Sequence, residues 1–277
     1  MNNLLKRTFF GALFVAVLVI SLLFYTPLFP AVAIIAIYFM MSEFYGISMG
    51  DSYMLARKLA ILSAELLFAI MFAVCQYNVP AGWLCLSAFP FFAAMISVLF
   101  DRNREEQLHQ FPYVFTGLLY IGIPSALLPL IVFRNGEFDG WLLLCFFIII
   151  WISDTGAYCL GTLFGQKPGS KKLAPSISPK KSWWGVWSGL AFAMGAAVCL
   201  RALGKLELPL VHSLVFGAIV SAAGVCGDLF ESVWKRYFHV KDSGNVIPGH
   251  GGMLDRFDSS LFAIPIGSAY LAIFNLM

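Results

Sequence analysis

Charge is scarce in this 277-residue chain. Asp, Glu, Lys and Arg make up 12% of it and apolar residues 60%, against about 25% and roughly 45–50% in soluble domains. No stretch is long and polar enough to fold as a separate soluble domain. One domain is therefore expected over 1–277, with apolar helices over 1–139 and the polar motifs in the half 140–277. Cysteine is present but unpatterned. Cys75, Cys85, Cys145, Cys159, Cys199 and Cys226 show no C-x-x-C and no Cys/His ligand spacing, so neither a disulfide framework nor a zinc site is expected. Most lie in apolar runs, where cysteine behaves as a small hydrophobe. The net charge of +3 is too modest to name a partner, and no nucleic acid is expected. A cleavable leader is not expected either. Lys6-Arg7 precede an apolar stretch and Ala31-Val32-Ala33 looks cleavable, but the run Thr8–Tyr25 is too long for a leader and another membrane-length segment follows it. Residues 8–25 are read as a retained first helix.

Apolar runs are what the chain has in abundance. Crossing a hydrocarbon core ~30 Å thick takes ~20 mostly apolar residues. Segments of that kind fall near 8–25, 27–46, 58–76, 80–100, 112–133, 140–161, 183–200, 208–226 and 257–275. The expected fold is an all-α integral membrane protein of about nine transmembrane helices. Only Thr26 and Pro27 separate the first two, which implies a tight hairpin. With nine spans, fifteen of the eighteen Lys and Arg residues gather at one set of helix ends, leaving Arg134, Arg201 and Lys205 at the other. The positive-inside rule then places the amino terminus in the cytoplasm and the carboxyl terminus outside. The expected location is the inner (cytoplasmic) membrane, crossed many times, with a polar active site on its cytoplasmic face.

Topology explains the lysines and arginines of the two longest polar loops, 162–182 and 227–256, but not the acids beside them. Asp154, Asp228, Glu231, Asp255 and Asp258 all sit at span ends on the same face. Asp228, Glu231, Ser232 and Lys235 would share one stripe if the helix continues past the span, with Arg236 following. Asp255 and Asp258 stand three apart before the last span, where a carboxylate can complement the helix dipole. Two such groups flanked by cations also suit a hard cation such as Mg²⁺, which takes carboxylate oxygens and leaves positions for substrate phosphates. Between them runs Ile247-Pro248-Gly249-His250-Gly251-Gly252. Closely spaced glycines before a helix let backbone N–H groups approach an anion. Ser178-Pro179-Lys180-Lys181-Ser182 adds two lysines at a helix start, where they repel the dipole unless an anion is shared between them. Asp154 lies inside the cytoplasmic end of span six, where an acid is costly unless paired or coordinated. Carboxylates for metal, cations and a glycine loop make up equipment for phosphoryl or nucleotidyl transfer. Glu43 and Glu65, in or near spans two and three, could line the same cavity or bond between helices.

Ser232-x-x-Lys235-Arg236, Lys241-Asp242 and Pro248-Gly249-His250-Gly251-Gly252-x-x-Asp255-Arg256-x-Asp258 keep the order and spacing of a known signature. The run resembles the phosphatidate cytidylyltransferases (CDP-diacylglycerol synthases). Asp154-Thr155-Gly156-Ala157-Tyr158 and Leu173 to Lys181 also resemble that family's motifs. The likeness covers about 150–275, while the first five spans match only in number and apolarity. Ser182 stands where relatives usually have Thr, and Trp184 where many have Glu or Gln.

The resemblance implies that CTP and phosphatidic acid react, with Mg²⁺, to give CDP-diacylglycerol and pyrophosphate in phospholipid biosynthesis. On that basis Asp228 and Asp255 are expected to hold the metal, with room for a second cation and with Asp258 as a further ligand or supporting partner. Lys180, Lys181, Lys235, Arg236, Lys241 and Arg256 are expected to divide between the triphosphate and the lipid headgroup. Lys241 is grouped with the three aspartates as the reacting set. Asp154, Ser178 and Ser232 are expected at the substrate, and His250, Gly251 and Gly252 in the phosphate loop. The other partner is the bilayer itself, and a homodimer is compatible with so apolar a body. Two rival readings are a CTP-dependent transferase or kinase acting on a polyprenol lipid, and an ion-binding transporter. Transporters show paired repeats and midplane broken helices, and no matching halves are found here.

Overall fold

The computed structural model describes residues 3–24, 27–50, 53–100, 104–134, 136–249 and 251–277. Its elements are almost all helical, because apolar runs in lipid have no water to satisfy their backbone and must bond within themselves. In chain order they are α1 (Asn3–Leu23), α2 (Leu28–Met49), α3 (Met54–Tyr77), a 3₁₀ turn (Ala81–Ser87) leading into α4 (Ala88–Leu99), and α5 (Arg104–Gly117). A π turn (Leu118–Gly122) then joins α6 (Ile123–Ala126) and α7 (Leu128–Val132), and a short hairpin pairs β1 (Phe133–Arg134) with β2 (Glu137–Phe138). After α8 (Trp141–Leu163) a second hairpin pairs β3 (Lys172–Ala174) with β4 (Ser178–Ser182). The chain ends with α9 (Trp183–Ala202), α10 (Leu210–Tyr237), α11 (Leu254–Phe257) and α12 (Ser260–Ile273). Among the described residues seven helical segments are long and apolar enough to cross a membrane. The apolar part of α1, Thr8–Leu23, and the 14-residue α12 are shorter. The protein is an all-α, multi-pass membrane protein. Of the expected first hairpin, Thr26 lies outside the described residues and Pro27 caps α2.

The chain divides into two compact units. The first comprises 1–139 together with 240–256. Its centre is α3, packed by α2, α4 and the broken stretch from α5 to α7. Prolines stand in that stretch at position 112, inside α5, and at 124 and 129, in the opening turns of α6 and α7. Proline removes a backbone donor and crowds the preceding turn, which accounts for short helical pieces in place of one rod. Tyr45 of α2 fits against Gly117 and donates its hydroxyl to the Val114 carbonyl at 3.0 Å. A Cβ at Gly117 would overlap the Tyr45 ring. Phe29, Phe68, Phe72, Phe133 and Phe138 form an edge-and-tilt aromatic cluster that anchors the β1–β2 hairpin.

The second unit comprises 140–239 and 257–277. Here α8, α9 and α10 pack side by side and α12 lies on α10. Small residues allow this, as membrane helices associate through close backbone approach and interhelical polar bonds. Gly217 faces the Ala193–Met194 backbone, Gly156 faces the Phe192 ring, and Gly227 faces the Asp258 carbonyl. Ser153 and Ser221 share a buried hydroxyl bond of 2.8 Å, and Ser188 donates to the Gly156 carbonyl at 3.1 Å. All six cysteines are free thiols.

Candidate active site

A cavity of about 560 Å³ opens in the second unit, lined by Asp154, Tyr158, Thr162, Gln166, Lys180, Lys181, Ser182 and Asp228 among others. Three local features build it. Asp154 and Tyr158 project from α8, and Asp228 projects from α10, which runs on unbroken to Tyr237. The β3–β4 hairpin delivers the lysines. Glycines let that hairpin lie against the end of α8: a Cβ at Gly165 would overlap the Ser182 hydroxyl, and one at Gly185 would crowd the Ala157 carbonyl. Ser182 is the N-cap of α9, its hydroxyl accepting from the Gly185 N–H at 3.3 Å. That explains a hydroxyl at 182, and it places Lys180 and Lys181 in β4 just ahead of the helix.

Lys181 pairs with Asp228 at 2.5 Å, and the Ser232 hydroxyl donates to the other Asp228 oxygen at 3.3 Å. Asp154 and Asp258 both feel the Asp228 carboxylate, opposed by Lys181 at Asp154 and by Lys235 at Asp258. The second unit therefore gathers Asp154, Asp228 and Asp258 into one electrostatic group with two lysines. Lys235 is also held by the buried Glu231 at 2.5 Å, one helical turn away. Arg236 donates to the Ile177 carbonyl at 3.4 Å, tying the end of α10 to the β3–β4 turn. Ser178 opens β4, paired with Ala174. Asp258 accepts from the following Ser259 N–H at 2.6 Å.

The remaining motif residues belong to the first unit. There the loop 240–253 leads into α11, with Lys241 and Arg256 exposed. Gly251 adopts a φ of +84° and its carbonyl accepts from the Ile247 N–H at 3.1 Å. The left-handed conformation is one that glycine takes without penalty. Asp255 turns one carboxylate oxygen back onto the loop, accepting from Gly252 N–H at 2.8 Å and Ser243 N–H at 3.0 Å. Buried Glu43 of α2 completes the cradle. It accepts from Met253 N–H at 2.9 Å, Leu254 N–H at 2.8 Å and the Ser243 hydroxyl at 3.0 Å. Gly252 is required by this packing, since a Cβ there would overlap the Ser243 hydroxyl and the Glu43 carboxylate. His250 lies outside the described residues.

Of the two open readings of Glu43, the structure supports a bonding role, though with a loop some 200 residues along the chain. The structure adds Gln166 to the site. Its amide donates to the Lys180 carbonyl at 2.7 Å and accepts from Lys172 at 2.6 Å, so it clamps the cationic hairpin. A lone glutamine after a glycine carries no sequence signal for that task.

A helical membrane body whose second unit holds carboxylates and lysines in one cavity, and whose first unit carries a loop rich in glycine, has the chemical equipment for handling phosphate groups. The model of the Cytidylyltransferase family matches residues 5–274, and the chain belongs to that family. It is similar to the phosphatidate cytidylyltransferase of Bacillus subtilis (strain 168), 42% identical over 128 residues that make up 46% of each chain. The namesake of Rickettsia bellii is 36% identical over 62% of this chain and 73% of its own. That of Staphylococcus aureus (strain COL) is 43% identical over 43% of this chain and 45% of its own. The matched stretch thus spans less than half of these Bacillus subtilis and Staphylococcus aureus relatives.

Proposed function

We propose that the protein joins CTP to phosphatidate, releasing pyrophosphate and leaving CDP-diacylglycerol in the bilayer. The observation that carries this reading is the Lys181–Asp228 pair in a cavity that also holds Asp154 and Lys180. A phosphate oxygen of the lipid forms a bond to the α-phosphorus of CTP as the bond to the β-phosphate bridging oxygen breaks. No strong base is needed, because a phosphate monoester is already largely dianionic at neutral pH. Lys180 and Lys181 offset the charge of the phosphates, and oriented cations in a partly desolvated cavity act most strongly on the transition state. The acyl chains stay in the bilayer while the headgroup meets soluble nucleotide.

Mg²⁺ belongs to this reading. Among the described residues no group of three or more His, Cys, Asp or Glu is arranged to hold an ion unaided. Mg²⁺ needs no such cage, since it is commonly held by one or two carboxylates and completed by water and substrate phosphates. The hard oxygens of the aspartates fit it chemically. Asp228 and Asp255 are assigned to it from the sequence signature, with Asp258 supporting and a second cation allowed. When bound, the ion neutralises charge on phosphate oxygens. Nine spans, a cytoplasmic amino terminus, an outer carboxyl terminus, a cytoplasmic-face site and the inner membrane complete the reading, supported by the one-sided Lys and Arg. A homodimer is compatible with it, and no nucleic acid takes part.

The test is purified protein in detergent with labelled CTP, phosphatidic acid micelles and Mg²⁺, followed by extraction of CDP-diacylglycerol. Product that disappears with EDTA, and in Asp255→Asn of undiminished folded yield, supports both reaction and carboxylates. Product only with a polyprenyl phosphate or polyprenol would replace the lipid, and full activity of Asp255→Asn would remove Asp255 from the site.

A further inference from the structure

Glu43 is a carboxylate in an apolar helix, 9% exposed and far in sequence from every motif residue. A charge in such a place is costly unless strong donors surround it. Three donors to it come from one short segment, the Ser243 hydroxyl and the Met253 and Leu254 N–H groups. That segment carries Gly251, Gly252 and Asp255, and its shape depends on the same contact. Ser243 donates to Glu43 while accepting from the Asp255 N–H at 3.3 Å, and Asp255 accepts from the Ser243 and Gly252 N–H groups. Gly244 and Gly252 both lie where a side chain would overlap the Glu43 carboxylate. Five positions of this segment, Ser243, Gly244, Gly252, Met253 and Leu254, are thus arranged around one acid from α2.

We infer that Glu43 is the positioning residue of the signature loop, fixing Gly252 and Asp255 in the geometry that nucleotidyl transfer requires. The inference rests on the proposed function for its kinetic part only. Its chemistry demands a carboxylate of this length. Met253 N–H points at one oxygen and Leu254 N–H at the other. Glutamine, of equal shape, must set its NH₂ against one of these donors in either orientation. Aspartate keeps the charge but is one methylene too short.

The experiment compares purified wild type, Glu43→Gln and Ser243→Ala in detergent. Limited trypsin digestion reads the loop directly, because Lys241 and Arg256 flank it and are exposed. Glu43→Gln is expected to be cut at these two sites at least about tenfold faster, with cutting elsewhere unchanged. Its kcat should fall on the order of a hundredfold, as a misplacement of about 1 Å can cost, while KM for CTP moves much less. Ser243→Ala, which removes one of the three bonds, should show both effects to a smaller degree and covers the case in which Glu43→Gln does not fold. Wild-type cutting with wild-type kcat in a folded variant would overturn the inference. So would uniformly faster cutting at all sites, which marks general destabilisation. If the wild type itself fails to convert phosphatidate, the proposed lipid falls, and the digestion pattern still decides the role of Glu43.

Discussion

Replacing Lys181 by Met and Asp228 by Asn, singly and together, separates what this pair does for folding from what it does for the reaction. The two side chains meet at 2.5 Å and are 24% and 37% exposed. That lies between an open surface pair, worth about 0–1 kcal/mol, and a fully buried one, whose disruption costs about 3–5 kcal/mol. Each single replacement should therefore lower stability by about 1–2 kcal/mol. Asp228→Asn strands the Lys181 ammonium. Lys181→Met leaves Asp228 facing Asp154 and Asp258 with less compensation. The double replacement removes both faults, so its stability should return to within about 0.5 kcal/mol of wild type, a coupling of the size expected for groups in contact. Activity should behave differently. Each single variant should lose on the order of 10²–10³-fold in kcat, the scale for removing one preorganised electrostatic contact, and the double should stay at least as low. Thermal unfolding in detergent and initial rates of CDP-diacylglycerol formation measure the two quantities. A double variant within about tenfold of wild-type rate would make the pair a structural staple and refute its role toward phosphate. Strictly additive stability losses would mean the two groups do not meet.

Two further substitutions test how the site is held. Ser182→Ala should cost about 1 kcal/mol through loss of the α9 cap, whereas Ser182→Thr should keep both stability and rate; thermal shift and initial-rate assays together distinguish the two. Gly227→Ala should cost about 1–3 kcal/mol as its new methyl meets the Asp258 carbonyl. It should also lower kcat, because α10 and the Asp258 segment must part; wild-type rate with wild-type stability would contradict that packing.

Much of this site is legible in the chain because its signals are local. The stripe Asp228–Ser232–Lys235 follows from helical spacing once α10 is taken to run on past the apolar segment, and it does so to Tyr237. The sequence puts Lys180 and Lys181 beside a helix start, and they stand in β4 directly before the cap of α9. The partners were harder to read. Spacing alone put Lys235 and Asp228 on one stripe, yet Lys235 bonds Glu231 while Asp228 bonds Lys181 from a different element.

Amino-acid order by itself determined the membrane class, the helix-forming runs and the polar residues that matter, because hydropathy and periodicity act over neighbours within a few turns. Tertiary structure alone decided that Glu43 of α2 cradles a loop some 200 residues away, and that 240–256 packs with the first unit. It also decided that Gly252 is glycine for want of space beside Glu43 and Ser243. Contacts of such separation leave no period in the sequence. A buried acid in an apolar helix announces only that donors must surround it, and folding supplies which ones.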